Sequence, residues 1–451
     1  VASGGDDLLT SNLGSMLRAR PPLDLTNRRL RTLAAALGPA NVRVSGSWAN
    51  KAYFQKAGDP ATVSAPPGFE GVLTRAQWRG VVDFVRAVDG RLLVSFAVGA
   101  GVRDAKGTWT PDQARDLIDY TKSVGGRINA AEFFNEPNTA ELGGAPKGYD
   151  AAAFAKDHAV FEVLMGGAIR VVGPAIADVT PLLGLSGING IRSEDLLGTS
   201  PGLKLDVFSY HHYPALSQRC KFMGAQYQVT RDDAISLAWF AQSDKVIDEF
   251  NKLRDTYAPG KPIWVTEIAD AACGGNPWSL TFRDNFRFAD ELGRYARAGI
   301  DSIFHNTLIG SEYALVAEDT VDPRPKYWVA LLWRRLMGEQ SLEVRSPGDG
   351  VELYAQCRRG LGSGVSMLAI NTTGQPRSIR SNARADIYSL TADNLDDRSS
   401  RLNGRLIEMG ANDRLPELRG QPVAAGNIML KAYSVTFLDM PRVRNRACSP
   451  A

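Results

Sequence analysis

Between residues 25 and 340, short apolar runs alternate with turns and with longer segments whose apolar positions recur at helical spacing. Apolar runs bounded by turn residues predict buried strands at 42–44, 92–96, 131–134, 170–172, 206–210, 263–266 and 302–304. The longer segments predict helices over 23–37, 75–87, 111–123, 151–165, 245–257 and 283–298. This βαβα rhythm calls for an α/β fold with a parallel sheet. No Gly-rich nucleotide loop follows any strand, since Asp104 stands where the third glycine after Gly99 and Gly101 is needed, so a (β/α)8 TIM barrel over residues 1–340 is expected rather than an open sheet. Seven strands are visible and a helix precedes the first, which puts the barrel's first strand at or before Val1. With that offset Glu136 ends strand four and Glu267 ends strand seven. After residue 340 the pattern changes to short alternating runs punctuated by Gly, Asn and Asp, predicting a C-terminal antiparallel β-sandwich over 341–451.

A chain of 451 residues has room for a barrel and a smaller partner domain. Its net charge of +3 is not tied to a basic stripe or a nucleic-acid motif, so no nucleic-acid partner is expected. No apolar run is long enough to span a bilayer, and a monomer without membrane insertion is expected. Four cysteines, Cys220, Cys273, Cys357 and Cys448, contain no CxxC pair, and four histidines offer a poor metal cluster, so no metal and no cofactor is expected. Buried thiols and two disulfides both fit. A Cys357–Cys448 bridge is favoured, because it would pin the C-terminal tail, and it implies an oxidising, secreted or periplasmic setting with any leader removed.

The candidate chemistry lies at two strand ends. In Phe134-Asn135-Glu136-Pro137 a buried run stops at Asn-Glu, and Pro137 prevents its continuation. In Ile263-Trp264-Val265-Thr266-Glu267 a second apolar strand ends in Glu. A lone Asn-Glu-Pro is more often a turn or a helix cap, but two strand-end carboxylates at a barrel's C-terminal rim are what glycosidic cleavage requires. Glu136 would serve as acid/base and Glu267 as nucleophile, with Asn135 holding the sugar 2-hydroxyl.

The pair resembles the catalytic carboxylates of clan A glycoside hydrolases, and the flanking segments resemble family 79, the heparanase and β-glucuronidase family. Val42-Arg43-Val44-Ser45-Gly46-Ser47 is similar to its Arg-Phe-Gly-Gly-Thr strand, and Tyr210-His211-His212-Tyr213 to its His-His-Tyr. Cys273-Gly274-Gly275-Asn276 is similar to its Gly-rich loop, and Asp322-Pro323-Arg324-Pro325-Lys326-Tyr327-Trp328 to its Asp-Pro-x-Pro-x-Tyr-Trp stretch. The likeness runs from about Arg28 onward and is closest to single-chain, bacterial heparanase-type members. It places Cys357 and Cys448 at the family's sandwich disulfide.

The resemblance implies that Tyr213 hydrogen-bonds the nucleophile. It implies that the backbone amides of Cys273, Gly274 and Gly275, with the Tyr327 hydroxyl, bind a uronate carboxylate. Ser47 and Asn306 join the binding residues, and so does at least one of His211 and His212, with His212 the candidate. Two departures stand out: Ala272-Cys273 replaces an aromatic wall and leaves Cys273 able to pair with Cys220, and Asp178 would repel sulfate. The implied activity is that of a retaining endo-β-D-glucuronidase cleaving heparan sulfate by double displacement. The alternatives are an exo-acting β-glucuronidase, a hyaluronan-cleaving enzyme and, from another class, a non-catalytic polysaccharide-binding protein, which would need a damaged carboxylate pair.

Overall fold

All seven apolar runs form strands of one parallel sheet in the computed structural model, which describes residues 23–177, 190–200, 202–360 and 363–448. They are β1 (Ala40–Val44), β2 (Gly90–Val94), β3 (Ile128–Ala131), β4 (Arg170–Ala177), β5 (Val207–His212), β6 (Ile263–Ile268) and β7 (Ser302–His305), paired in that order. Helices α1 (Arg28–Leu37), α2 (Arg75–Ala87), α3 (Asp112–Ser123), α4 (Ala151–Met165), α5 (Ser193–Leu197), α6 (Gln242–Tyr257), α7 (Asp284–Arg297) and α8 (Pro325–Leu336) precede, separate and follow them. Helix boundaries follow local chemistry. A Thr74–Gln77 capping box opens α2, the Asp150 side chain caps α4, and Gly166, left-handed at φ 56°, closes α4.

Sequential parallel pairing curls the sheet into the (β/α)8 type of barrel. The ring is nearly closed. Strands β1 and β7 share no ladder, but the Asn41 side chain reaches the Ser302 hydroxyl at 3.2 Å. A cavity of about 240 Å³ lies between these two strands and extends from Ala40 to Glu267. The expected first strand, at or before Val1, falls outside the described residues. Leu93, Ala130, Val172, Val207, Trp264 and Phe304, one from each of β2 to β7, pack together as the floor of the barrel. The third strand is displaced from its expected position. It ends at Ala131, and Phe133 leaves it to pack against Trp109, Phe154 and Phe161 before the chain turns at Glu136.

The antiparallel region begins at Met337 with β8 (Met337–Leu342), β9 (Val351–Arg358), β10 (Val365–Asn371), β11 (Arg377–Ser381), β12 (Ala385–Thr391) and β13 (Ser400–Leu402). It continues through β14 (Arg405–Ile407), β15 (Gln421–Val423), β16 (Gly426–Leu430) and β17 (Ser434–Met440). Eight strands make one sheet, ordered β8-β9-β10-β17-β12-β13-β14 with β15 also on β12, while β11 and β16 form a separate ribbon. Alternation sorts its faces. Leu353, Val365 and Leu438 pack with Ile379 and Ile428 of the ribbon, and Tyr354, Leu368 and Phe437 pack with Phe286 and Leu332 of the barrel's last two helices. The second layer of the expected sandwich is therefore only a ribbon, because barrel helices cover the sheet's other face. Cys357 is bonded to Cys448, tying the tail to β9, and Cys220 to Cys273.

The contact between the two regions depends on Gly293 in α7. A Cβ there would lie 2.2 Å from the Tyr354 ring, whose hydroxyl donates to the buried Asp290 carboxylate at 2.6 Å. Alanine gains about 1 kcal/mol of helix propensity over glycine, but displacing a packed ring costs roughly 1–3 kcal/mol and breaking its buried hydrogen bond a further 1–3. Gly293→Ala is therefore expected to lower stability by about 2 kcal/mol net, read as a lower urea midpoint at unchanged slope. An unchanged or raised midpoint would show that the ring moves freely.

Candidate active site

Glu136 and Glu267 meet at the C-terminal rim of the barrel because two local irregularities aim them there. Between β5 and β6 the register pairs Tyr210 with Val265 but His211 with Glu267. This bulge passes over Thr266 and sets Glu267 opposite His211, re-aiming a side chain as bulges beside functional sites do. Glu136 has φ 52°, a left-handed conformation uncommon outside glycine, and Pro137 opens a short 3-10 turn directly after it. Carboxylate oxygens of Glu136 and Glu267 and a ring nitrogen of His211 all lie within 4.8 Å of one another. The two side chains remain 17% and 12% exposed, enough to meet a ligand. Three such ligand-type atoms could cradle a cation, but the positive charge at this point is already supplied by Arg43.

Arg43, buried on β1, reaches the ends of three other strands. It donates to Glu132 Oε2 at 2.9 Å, to Glu267 Oε2 at 2.7 Å and to the Asn135 side-chain oxygen at 2.8 Å. Its Nη2 also lies 3.2 Å from His211 Nε2. A guanidinium only donates, so Nε2 is the accepting nitrogen and the His211 proton sits on Nδ1, which faces Glu136 Oε1 at 3.0 Å. On the opposite side Tyr213 donates its hydroxyl to Glu267 in a short hydrogen bond. Asn306 donates to Tyr213 at 2.8 Å, to Tyr313 at 3.1 Å and to Glu267 at 3.3 Å. Burial alone would raise the Glu267 carboxyl, but the Arg43 guanidinium, through its charge and hydrogen bond, and the Tyr213 hydroxyl outweigh it and hold the group below its ordinary value. Burial and the neighbouring Glu267 push Tyr213 far up, so its phenol keeps its proton. Asn50, fully buried, grips the Asn135 backbone from both sides, accepting its N–H at 2.9 Å and donating to its carbonyl at 3.0 Å.

The catalytic-core model of the glycosyl hydrolases matches residues 107–280, the stretch that carries both carboxylates. Heparanase-like protein 1 of Arabidopsis thaliana is 28% identical over 382 residues, covering 78% of this chain and 65% of that protein. Mouse heparanase is 25% identical over 488 residues, covering 94% of this chain and 88% of its own. In sequence the chain is similar to heparanases and to a β-glucuronidase. The crystal structure of a 4-O-α-L-rhamnosyl-β-D-glucuronidase from Fusarium oxysporum superposes with a TM-score of 0.63 at 14% identity, covering 93% and 92% of the two chains, and so shares the fold. With the catalytic-core match, these likenesses make the chain a glycoside hydrolase.

The structure gathers Glu136, Glu267, Asn135, Tyr213 and Asn306 into one polar cluster, and it places His212, Tyr327 and Ser47 outside that cluster. His212 is corrected: successive strand residues face opposite ways, and His212 turns outward to within 3.4 Å of Ser243 on α6, while His211 faces the carboxylates. Tyr327 is corrected too, since it is fully buried in α8 and donates to the Leu33 carbonyl of α1 at 2.9 Å. Ser47 is buried at 3% exposure, and no hydrogen bond joins it to the cluster. Cys273, Gly274 and Gly275 form a left-handed run (φ 64°, 82° and 86°) in the loop that follows Glu267. A Cβ on Gly275 would strike the Tyr313 ring at 2.7 Å, and Tyr313 accepts from Asn306. Asp270 anchors this loop by accepting the Asn276 N–H at 2.9 Å, and burial followed by the nearby Asp284 raises its carboxyl to about 7. Asp178 lies outside the described residues.

Arg43, Glu132, His211 and Tyr313 are the site residues that sequence reasoning gave no settled role. The one available signal was a charged residue in the middle of Val42-Arg43-Val44, an apolar strand in which an arginine needs buried acids. Tyr213→Phe removes a donor that holds Glu267 ionised, so the carboxyl rises toward its ordinary value. If Glu267 acts ionised, activity is lost as pH falls through its pKa, and in the variant this loss begins at higher pH. The expected result is an upward shift of the acidic limb of kcat/KM, with a fall of about ten- to a hundredfold at that limb. An unmoved acidic limb would assign Tyr213 a purely spatial role.

Proposed function

We propose that this chain is a retaining endo-β-D-glucuronidase that hydrolyses glucuronosyl bonds in heparan sulfate-type glycosaminoglycans. The observation that supports retention is the approach of the Glu136 and Glu267 oxygens to within 4.8 Å. Retaining glycosidases hold their carboxyls about 5–5.5 Å apart, whereas inverting enzymes need roughly 6.5–9.5 Å to admit water between them. In the first step Glu267 attacks the anomeric carbon as Glu136 passes its proton to the departing glycosidic oxygen, leaving a covalent glycosyl ester. In the second Glu136, now a carboxylate, takes a proton from water, which attacks the same carbon and restores Glu267. Asn135, whose oxygen is occupied by Arg43, has its NH2 left to hold the sugar 2-hydroxyl. The amides of the Cys273–Gly275 turn are suited to the uronate carboxylate, since small residues in left-handed conformation let backbone N–H groups approach an anion. Two disulfides fit work in an oxidising, extracellular or periplasmic setting. Among the described residues no helix is long and apolar enough to cross a membrane.

Digestion of heparan sulfate, sized by gel filtration, tests this reading beside Glu136→Gln and Glu267→Gln. The intact protein is expected to yield mid-chain fragments, and each variant to lose activity by at least about 10²–10⁴-fold. Unchanged chain length together with release of glucuronate from a chromogenic β-glucuronide would replace endo by exo action. Silence on both substrates would favour a polysaccharide-binding protein instead.

A further inference from the structure

Cationic residues are unevenly distributed along the chain. Residues 341–451 contain 15 Lys and Arg against 11 Asp and Glu, and 14 of the 15 are arginine, whereas residues 1–340 are nearly balanced at 37 against 38. Several of these arginines converge on one end of the eight-stranded sheet. Strand β17 finishes at Met440, whose neighbour across the ladder in β12 is close to Arg384, and the Ser381 hydroxyl touches the Met440 sulfur at 3.8 Å. The tail that follows is fixed in place. Asn445 N–H donates to the Ser363 carbonyl at 3.0 Å, and Cys448 is bonded to Cys357. Val443 packs on the apolar layer between sheet and ribbon, while Arg442, Arg444 and Arg446 stay exposed, as does Arg384. Among the described residues no carboxylate pairs with any of these four.

Two acids lie nearby in the pairing pattern: Asp439, taken by Arg358 at 2.7 Å, and Asp386 directly across the ladder from it, which forms no ion pair with any of the four. Arg359 extends the positive surface toward α8, where burial and the proximity of Arg334 both lower its affinity for its proton. Arg334 in turn donates to the Gly38 carbonyl at 3.0 Å, just before β1. This end of the sheet therefore flanks the N-terminal face of the barrel, whereas Glu136 and Glu267 stand at the C-terminal rim. A barrel strand of about six residues separates the two faces by roughly 20 Å.

We propose that Arg384, Arg442, Arg444 and Arg446 form a binding surface for sulfated polysaccharide chains, separate from the catalytic cleft. Planar guanidinium forks match flat or trigonal oxyanion groups through paired hydrogen bonds, and four of them on a tail pinned by a disulfide lose little freedom on binding. The choice of polysaccharide over other polyanions rests on the glucuronidase reading, because a long anionic substrate gripped here would be retained between cuts in the cleft.

Binding to immobilised heparan sulfate, measured by surface plasmon resonance over a range of salt concentrations, tests the surface on the full chain and on the triple variant Arg442→Gln, Arg444→Gln, Arg446→Gln. With three exposed cationic contacts removed, the variant should bind about tenfold more weakly and with a shallower salt dependence. Its turnover of a small chromogenic β-glucuronide should be unchanged. Equal affinity of the two proteins would overturn the proposal, as would duplex DNA binding through the same arginines as tightly as the polysaccharide. If binding drops in the variant while neither protein cleaves any glucuronide, the surface stands and the catalytic reading is what fails.

Discussion

Arg43 lies where the ends of β1, β3, β5 and β6 converge, and its guanidinium is the shared partner of Glu132, Asn135 and Glu267, with His211 in contact. Burying a guanidinium and two carboxylates is costly unless each is paired and hydrogen-bonded, and here one cation serves both acids. Its loss would leave Glu132, which has no exposure, uncompensated inside the barrel, a change worth roughly 3–5 kcal/mol. The same contact gives direction to the site. It keeps Glu267 ionised, sets the tautomer of His211, and turns the Asn135 amide so that its NH2 remains available.

The rest of the fold can be read as support for that cluster. Six apolar side chains close the floor below it, and Asn50 clamps the backbone that carries Asn135. The Cys220–Cys273 bridge ties the loop after β5 to the Gly-rich turn after β6, and Tyr313 wedges that turn against Asn306. The antiparallel sheet covers α7 and α8, whose buried Arg287–Asp284–Lys326 ion pairs sit directly outside β6 and β7. The proposed two-step reaction would need the carboxylate pair held at fixed separation, which supports of this stiffness supply.

Much of this was legible in the residues, and what was not has identifiable causes. The strands and most helices follow from period and punctuation, so α2 and α4 fall on the expected residues 75–87 and 151–165. Strand-end carboxylates followed by a proline were visible as chemistry. A bulge leaves no mark in the sequence, so nothing in His211-His212 says which ring faces inward, and the structure turns His211 inward and His212 outward. Tyr327 beside Trp328 had the composition of either a binding platform or a core, and the packing of α8 on α1 decided for core. The lopsided sandwich was hidden because an apolar sheet face reads the same whether strands or helices cover it.

The central claim is that Glu136 and Glu267 act in sequence through a covalent intermediate, which fixes the stereochemistry of the product. The most direct measurement is proton NMR of the reducing end formed in the first minutes of cleavage of a β-glucuronide, before mutarotation mixes the anomers. A carboxylate separation within 4.8 Å predicts that the β-anomer appears first. First appearance of the α-anomer would mean direct attack by water, and would contradict the assignment of Glu267 as nucleophile.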